Sequence, residues 1–351
     1  MSKHDEEGIK CVVWDLDNTL WDGVLVESGP LTPKPEIARI IRALDERGIL
    51  QSIASKNNFD DAAAKLRELG LWDYFLYPEI HWGAKSESIA RIQKALNIGM
   101  NTILFVDDDP FERDEVAKAN PDVNVAPADS YATLLDDRRL IPRFITADSA
   151  RRRQMYREDE QRKRAEETFD GPKEAFLSGL GMRFKIAEAG GDDLARAAEL
   201  TVRTHQLNAT GRTYSYDELD ALRRSNSHRL YICELTDVYG SYGKIGLSLV
   251  ERTESAWFVR LLLMSCRVMS RGVGTVLLGY LMQEAKRAGV RLFADFVPTD
   301  RNRAMYVAFK FNGFRDVGDG DAGARVLEAN LEQVQGFPAY IDVVTPQPAS
   351  G

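Results

Sequence analysis

Residues 10–128 alternate short apolar runs with amphipathic segments, and this alternation constrains the fold more than any other feature of the sequence. The apolar runs, which we interpret as buried strands, are residues 11–14, 50–54, 102–106 and 123–126. The amphipathic segments, which we interpret as helices, are residues 35–47, 59–69, 86–96 and 110–119. Because strands that alternate with helices form parallel sheets, the pattern predicts an α/β domain with helices on both faces of its sheet.

Polar side chains follow the first apolar run directly. Asp15 and Asp17 are two residues apart, so on an extended chain both carboxylates point to the same side, and Asn18 and Thr19 come next. Open parallel sheets bind their ligands at this carboxyl edge. Two crowded carboxylates need a counterion, for which the hard cation Mg²⁺ is suited. One carboxylate could then attack a phosphoryl group while the other transfers protons, and the alternative is a strand end with solvated aspartates.

Three further polar sites fall at the same predicted edge of the sheet. In chain order they are Ser55-Lys56-Asn57 after the second apolar run, Lys85 before the third amphipathic segment, and Asp107-Asp108 after the third run. A hydroxyl and an ammonium neutralise phosphoryl oxygens, and a second acidic strand end completes a metal site. Each site alone is weak, because such a serine is often a helix cap and such a lysine is often a solvated surface residue.

In this order the four sites resemble the motifs of the haloacid dehalogenase-like superfamily of aspartate-nucleophile phosphotransferases, which have a Rossmann-like fold. The resemblance implies that Asp15 is the nucleophile and that Asp17 is the general acid/base. It implies Mg²⁺ as the cofactor, with further coordination from Asp107 or Asp108. The expected metal ligands are therefore Asp15, Asp17, Asp107 and Asp108. The expected phosphate-binding residues are Asn18, Thr19, Ser55, Lys56, Asn57 and Lys85.

The segments between these motifs leave no room for a cap domain. Residues 18–54 are used by a hairpin, a helix and a strand, and residues 56–84 by a helix and a short strand. The site is therefore expected to be open, and an open site admits a macromolecular substrate. We assign residues 1–145 to a phosphatase domain without a large cap and residues 146–172 to a charged, solvent-exposed helical linker.

The second half of the chain, residues 173–345, has a different pattern. Its predicted strands are residues 182–187, 230–235, 244–250, 256–264 and 291–297. Its predicted helices are residues 192–204, 216–224, 275–288 and 303–312. Because several strands follow one another without an intervening helix, the pattern predicts an antiparallel meander within an α+β domain.

Gly272 and Gly274 stand directly before the longest helix predicted in this half. The half resembles the GCN5-related acyltransferases (GNAT-like), in which a glycine-rich turn binds the pyrophosphate of CoA through backbone N–H groups at a helix N-terminus. Met269 stands where that family has Arg or Gln, so we expect no acetyl transfer from acetyl-CoA. The phosphopantetheine arm of a carrier protein is the alternative.

Taken together, the two halves resemble the FkbH-like proteins of polyketide assembly lines over residues 10–316. The resemblance is carried by residues 14–24, residues 105–113, residues 204–212, Ser265-Cys266-Arg267, residues 297–299, Asn302, Gly313 and Phe314. It implies that the chain takes the glyceryl group of 1,3-bisphosphoglycerate, removes phosphate, and loads glyceryl onto the thiol of an acyl carrier protein. His205 departs from the family pattern, which has Asn there.

Cys266 is the candidate residue for the acyl-transfer step, because a thiol could hold glyceryl as a thioester between steps. A free cysteine is only a few per cent thiolate at pH 7, but Arg267, the following helix N-terminus or His205 could lower its pKa. His205 is a further catalytic candidate, with a structural hydrogen-bonding role as the alternative. Gln206, Asn208 and Arg267 are the expected substrate contacts in this half.

Composition excludes several other classes of protein. The net charge of −8 argues against a general nucleic-acid binder. The longest apolar runs fall well short of the roughly 20 residues that span a membrane, and the polar N-terminus does not resemble a signal peptide. Three widely spaced cysteines fit a reducing cytoplasm. Two other functions compete: a small-molecule phosphatase whose C-terminal domain is a lid, and a CoA-dependent N-acetyltransferase.

Overall fold

The computed structural model describes residues 8–27, 31–204, 206–320 and 323–346. The chain divides into two compact units, Met1–Arg157 and Glu158–Gly351, and each is described by itself. Within the described residues, no helix combines the length and the apolar character that a membrane crossing requires.

The first unit is built on a parallel sheet. Its strands are β1 (Cys11–Trp14), β2 (Trp21–Asp22), β3 (Thr32–Pro33), β4 (Leu50–Ser55), β5 (Glu79–Ile80), β6 (Ile103–Asp107) and β7 (Asn124–Pro127). The five-stranded sheet has the order β5-β4-β1-β6-β7 with all pairs parallel, and β2 and β3 form a separate antiparallel ribbon. The predicted parallel α/β class is therefore confirmed.

Helices connect these strands at nearly the predicted positions. They are α1 (Ile37–Glu46), α2 (Phe59–Glu68), α3 (Lys85–Leu96), α4 (Pro110–Ala119) and α5 (Ala147–Ala150), with 3₁₀ turns at Trp72–Tyr74, Met100–Thr102, Ala128–Asp136 and Arg138–Leu140. Strand β1 is central, and its side chains alternate between two apolar clusters. Val12 and Trp14 join one cluster, and Cys11 and Val13 join the other, so helices cover both faces of the sheet. This double burial explains why β1 is apolar throughout.

Helix α6 (Arg152–Thr168) lies across the division between the units, and helix α7 (Lys173–Gly179) follows it. The prediction of a solvent-exposed helix is wrong for Arg162, whose side chain is 1% exposed. Its guanidinium binds both carboxylate oxygens of Asp237, at 2.8 and 2.9 Å, and stacks over the Tyr242 ring. The many charges of this helix therefore include a buried ion pair, which composition cannot distinguish from a solvated face.

The second unit has one mixed sheet of eight strands. They are β8 (Met182–Glu188), β9 (His228–Asp237), β10 (Gly240–Arg252), β11 (Ala256–Met264), β12 (Arg291–Phe296), β13 (Phe314–Asp319), β14 (Arg325–Ala329) and β15 (Ile341–Val344). Their order is β13-β14-β12-β11-β10-β9-β8-β15. Strands β8 to β11 form the predicted antiparallel meander, and β12 pairs with β11 in parallel.

The helices of this unit are α8 (Leu194–Arg203), α9 (Tyr216–Arg224), α10 (Val273–Arg287) and α11 (Arg303–Phe311), with 3₁₀ turns at Gly191–Asp193 and Cys266–Arg271. The predicted α+β class is confirmed. Strands β13, β14 and β15 were absent from the prediction, because β13 is exposed along most of its length and so has no clear apolar run. Helix α10 buries nine of its fifteen residues, and it supplies much of the apolar core that covers the sheet.

Candidate functional site

The main polar cluster of the first unit lies at the carboxyl edge of the parallel sheet. Asp15 follows β1, Asp107 ends β6, and Lys85 is the first residue of α3. The Lys85 Nζ is 2.8 Å from Asp15 Oδ1 and 2.6 Å from Asp107 Oδ2. All three residues are buried, with at most 5% of their surface exposed. Neighbouring strands β1 and β6 thus place two carboxylates on one ammonium.

Burial and charge act against each other in this cluster. Burial raises the pKa of Asp15 to about 6, Lys85 counteracts that rise, and the Asp107 carboxylate adds to it. Burial alone lowers the pKa of Lys85, but the two carboxylates raise it above its ordinary value overall. The ammonium balances one of the two carboxylates, so the ionised cluster keeps a negative charge that a bound cation would neutralise.

Asp15, Asp107 and Asp108 form a group suited to a metal ion. Each offers a carboxylate oxygen, and these oxygens lie within 4.8 Å of one another. Carboxylate oxygens are the ligands that Mg²⁺ prefers, and the exposed Asp108 leaves room for the water that Mg²⁺ retains. The sequence left open whether Asp107 or Asp108 contributes, and both belong to the group.

Asp17 was expected among the metal ligands, but the structure places its carboxylate outside that group. Its Oδ1 accepts hydrogen bonds from Trp21 Nε1 at 2.9 Å and from the Leu25 amide at 3.1 Å. Its Oδ2 accepts one from Asn57 Nδ2 at 3.0 Å. With both oxygens engaged in this way, the side chain fits its expected acid/base role better than metal coordination.

Of four other predicted phosphate-binding residues, two contact Asp15 and two have other partners. Thr19 Oγ1 donates to Asp15 Oδ2 over 3.4 Å, and a hydrogen bond from Ser55 lowers the pKa of the same carboxyl. Lys56 is instead paired with Glu112 at 2.5 Å, because the start of α4 presents that carboxylate to it. Asn18 has a positive φ of 54° and accepts from the Gly23 amide, which closes a turn.

In the second unit, Cys266 begins the 3₁₀ turn between β11 and α10, and its half-buried thiol is not in a disulfide. Arg267 donates to the Tyr242 carbonyl over 2.8 Å, so its guanidinium is partly committed to the fold. Gln206 is exposed, whereas His205 lies outside the described residues. The prediction of substrate binding by Asn208 does not fit, because its buried amide oxygen accepts from the backbone of the turn that follows.

A cavity of about 160 Å³ lies beside this cysteine-containing turn, a feature that sequence reasoning missed. Its lining includes Met269, Gly272 and Gly274 from the chain leading into α10. The other residues that line it are Leu207, Leu262, Met264, Val268, Thr275, Leu278, Ala304, Met305 and Ala308. These residues are mostly apolar core residues, so no local pattern distinguishes them. The arrangement suits an apolar chain rather than a charged group.

Comparison with known proteins finds several similar solved structures. No family model and no curated protein matches the sequence. The N-terminal part of a Bacteroides fragilis protein, which contains a phosphatase domain and was solved complexed with Mg, is 29% identical over 39% of this chain and 41% of that chain, with a TM-score of 0.34. The match thus spans less than half of the Bacteroides structure.

The other neighbours include acetyltransferases. The ribosomal-protein-S18-alanine N-acetyltransferase from Escherichia coli is 15% identical over 42% of this chain and 92% of that chain, with a TM-score of 0.33. A Salmonella typhimurium protein solved with its cofactor acetyl-CoA is 17% identical over 44% of this chain and 98% of that chain, with a TM-score of 0.34. The neighbours are therefore of two kinds, one with a phosphatase domain and the other acetyltransferase-like.

Proposed function

We propose that the first unit is a Mg²⁺-dependent phosphomonoesterase with Asp15 as its nucleophile. The observation that carries the proposal is the buried Asp15 carboxylate, held by Lys85 beside Asp107 and Asp108. Asp15, Asp107 and Asp108 would hold the Mg²⁺, which would neutralise charge on the phosphoryl group and on the carboxylates. A phosphate monoester is among the slowest bonds to hydrolyse unaided, so such a site has a clear chemical purpose.

The residues support a two-step reaction. Because Lys85 engages Oδ1 of Asp15, we assign the attack to Oδ2. The new bond joins Oδ2 to phosphorus, the ester P–O bond breaks, and the leaving oxygen takes a proton from the Asp17 carboxyl. Water then attacks phosphorus, its proton goes to Asp17, and the Asp15–phosphorus bond breaks to release inorganic phosphate. Lys85 and Ser55 would bind phosphoryl oxygens throughout.

We further propose that the phosphorylated group is glyceryl from 1,3-bisphosphoglycerate and that the second unit passes it to the phosphopantetheine thiol of an acyl carrier protein for polyketide biosynthesis. The Cys266 sulfur would attack the acyl phosphate carbonyl, forming a thioester as the C–O bond to phosphate breaks. The carrier thiol would then displace Cys266 and take the acyl group. Two observations support this assignment: Cys266 is half-buried, and Val268 and Met269 of the same turn line the apolar cavity.

Intact-protein mass spectrometry tests this proposal. Wild-type protein incubated with 1,3-bisphosphoglycerate should gain a glyceryl or phosphoglyceryl mass that hydroxylamine removes, and a purified holo acyl carrier protein should gain glyceryl. Cys266→Ala should lose both adducts while the first unit still cleaves a simple phosphomonoester. A variant that loads the carrier at the wild-type rate would exclude the covalent relay. Phosphate release without any acyl adduct would favour a small-molecule phosphatase.

A further inference from the structure

Asn57 is a buried side chain whose amide contacts the two groups beside the nucleophile. The residue is 2% exposed, and its Nδ2 donates to Asp17 Oδ2 over 3.0 Å and to Ser55 Oγ over 3.3 Å. A carboxylate can only accept, so the contact with Asp17 fixes which end of the amide is nitrogen. The amide oxygen is buried and has no hydrogen-bond partner within the described part of the chain.

Among the described residues, only the nitrogen of the Asn57 amide is hydrogen-bonded, which is unusual for a buried asparagine with a purely structural role. Buried polar groups in folded proteins are nearly always hydrogen-bonded, and a structural amide normally uses both of its ends. Here only the end that faces Asp17 and Ser55 is used. We therefore look for the role of this amide in its hydrogen bonds to those two side chains.

The hydrogen bonds on Asp17 distinguish its two oxygens. Oδ1 already accepts from Trp21 Nε1 and from the Leu25 amide, at 2.9 and 3.1 Å. Oδ2 accepts from Asn57 alone among the contacts described here, so it keeps a lone pair on which a transferable proton can reside. The Asn57 amide therefore sets the direction in which that proton is offered.

We propose that Asn57 is a positioning residue that aims Oδ2 of Asp17 at the leaving oxygen, and that the site is built for phosphomonoesters of alkyl alcohols. This inference rests on the proposed phosphatase function. When the P–O bond of an alkyl phosphate breaks, a strongly basic alkoxide leaves and needs a proton from Asp17 as it departs. A nitrophenolate is stable as an anion and leaves without that proton. A well-positioned acid therefore accelerates cleavage of the first kind of ester far more than cleavage of the second.

The test compares two esters in the presence of Mg²⁺: glycerol phosphate, with an alkoxide leaving group, and p-nitrophenyl phosphate. For Asn57→Ala we expect kcat/KM on glycerol phosphate to fall by about 100-fold, the lower end of what a positioned general acid contributes, with a much smaller loss on p-nitrophenyl phosphate. The ratio kcat/KM reports the reaction up to cleavage of the ester, so it excludes the later attack of water, which also uses Asp17 and is common to both esters. Trp21→Phe removes one donor to Oδ1 while keeping an aromatic ring at this buried position, and it should shift the ratio of the two rates in the same direction.

Asn58→Ala is the matched control, because the neighbouring Asn58 caps helix α2 through hydrogen bonds from Asp60 and Asp61. It should lower the melting temperature but leave the ratio of the two rates unchanged. Equal losses on both esters in Asn57→Ala and Trp21→Phe, with wild type active, would overturn this inference alone. A wild-type protein inactive on both esters would overturn the proposed phosphatase function as well. Circular dichroism of each variant identifies a folding failure, in which case Trp21→Phe decides.

Discussion

The ammonium of Lys85 lies 2.8 Å from Oδ1 of Asp15, although 70 residues separate the two in the sequence. The same nitrogen contacts Asp107, so one buried cation joins the ends of two neighbouring strands to the start of a helix. Two buried carboxylates without that cation would repel each other. The pairing of Asp15 with Lys85 therefore makes a reactive carboxylate compatible with a folded core.

Asp15→Asn should lower the rate of Mg²⁺-dependent phosphate release by several orders of magnitude, because an amide is too weak a nucleophile to form the phosphoryl intermediate. The substitution keeps the shape of the side chain, so residue 15 still lies against Thr19. The measurement is release of inorganic phosphate from a simple phosphomonoester, with circular dichroism as the check on folding. Turnover close to that of the wild type would remove Asp15 from the nucleophile role.

Asp108→Asn should weaken Mg²⁺ binding by at least about tenfold while leaving the melting temperature of the metal-free protein nearly unchanged. The exposed Asp108 belongs to the carboxylate group but is not part of the buried ion pair. Calorimetric titration with Mg²⁺ measures binding directly, independently of activity. Asp109→Ala is the control, because Asp109 caps helix α4 and its loss should lower stability without changing Mg²⁺ affinity. Unchanged affinity in Asp108→Asn would exclude it as a ligand.

Wild-type protein should not transfer acetyl groups from acetyl-CoA to small amines. Met269 is 50% exposed where a pyrophosphate-binding side chain is expected, and a thioether cannot neutralise that charge. Release of CoA in the presence of an amine is the measurement, with Met269→Arg as the comparison, and that variant should bind CoA more tightly. Rapid CoA release by the wild type would instead favour an N-acetyltransferase.

Arg162→Met should destabilise the protein by about 3–5 kcal/mol, because it leaves the buried Asp237 carboxylate without its cation. Chemical denaturation measures the loss. Arg164→Met is the matched control two residues away, since its pair with Glu160 is exposed and such pairs contribute little. A similar, small effect of both substitutions would show that the Arg162 pair does not stabilise the fold.

The local pattern of the sequence was enough to predict most of the secondary structure and the class of each unit. Strand β1 was predicted at the bounds it has because both of its faces are buried and its residues form one apolar run. Helix α4 was likewise predicted at its bounds, since Pro110 follows the capping residue Asp109 and suits the first position of a helix. The sequence also indicated that Asp15, Lys85 and Asp107 lie together. For Asp15 and Asp107 that inference needed only the rule that the carboxyl ends of parallel strands meet at one edge, whereas for Lys85 it depended on the order of the motifs and the resemblance that they carry.

The individual partners of each polar side chain were decided by the tertiary structure alone. Lys56 pairs with Glu112 across 56 positions of sequence, Asn57 donates to Asp17 across 40, and Arg162 binds Asp237 across 75. Periodicity determines which face of an element is buried, but a hydrogen bond depends on side-chain atoms lying within about 3 Å of each other. Such distances are set only when whole elements pack together. For this reason the buried ion pair of helix α6 and the hydrogen bonds of Asp17 could not be predicted from composition.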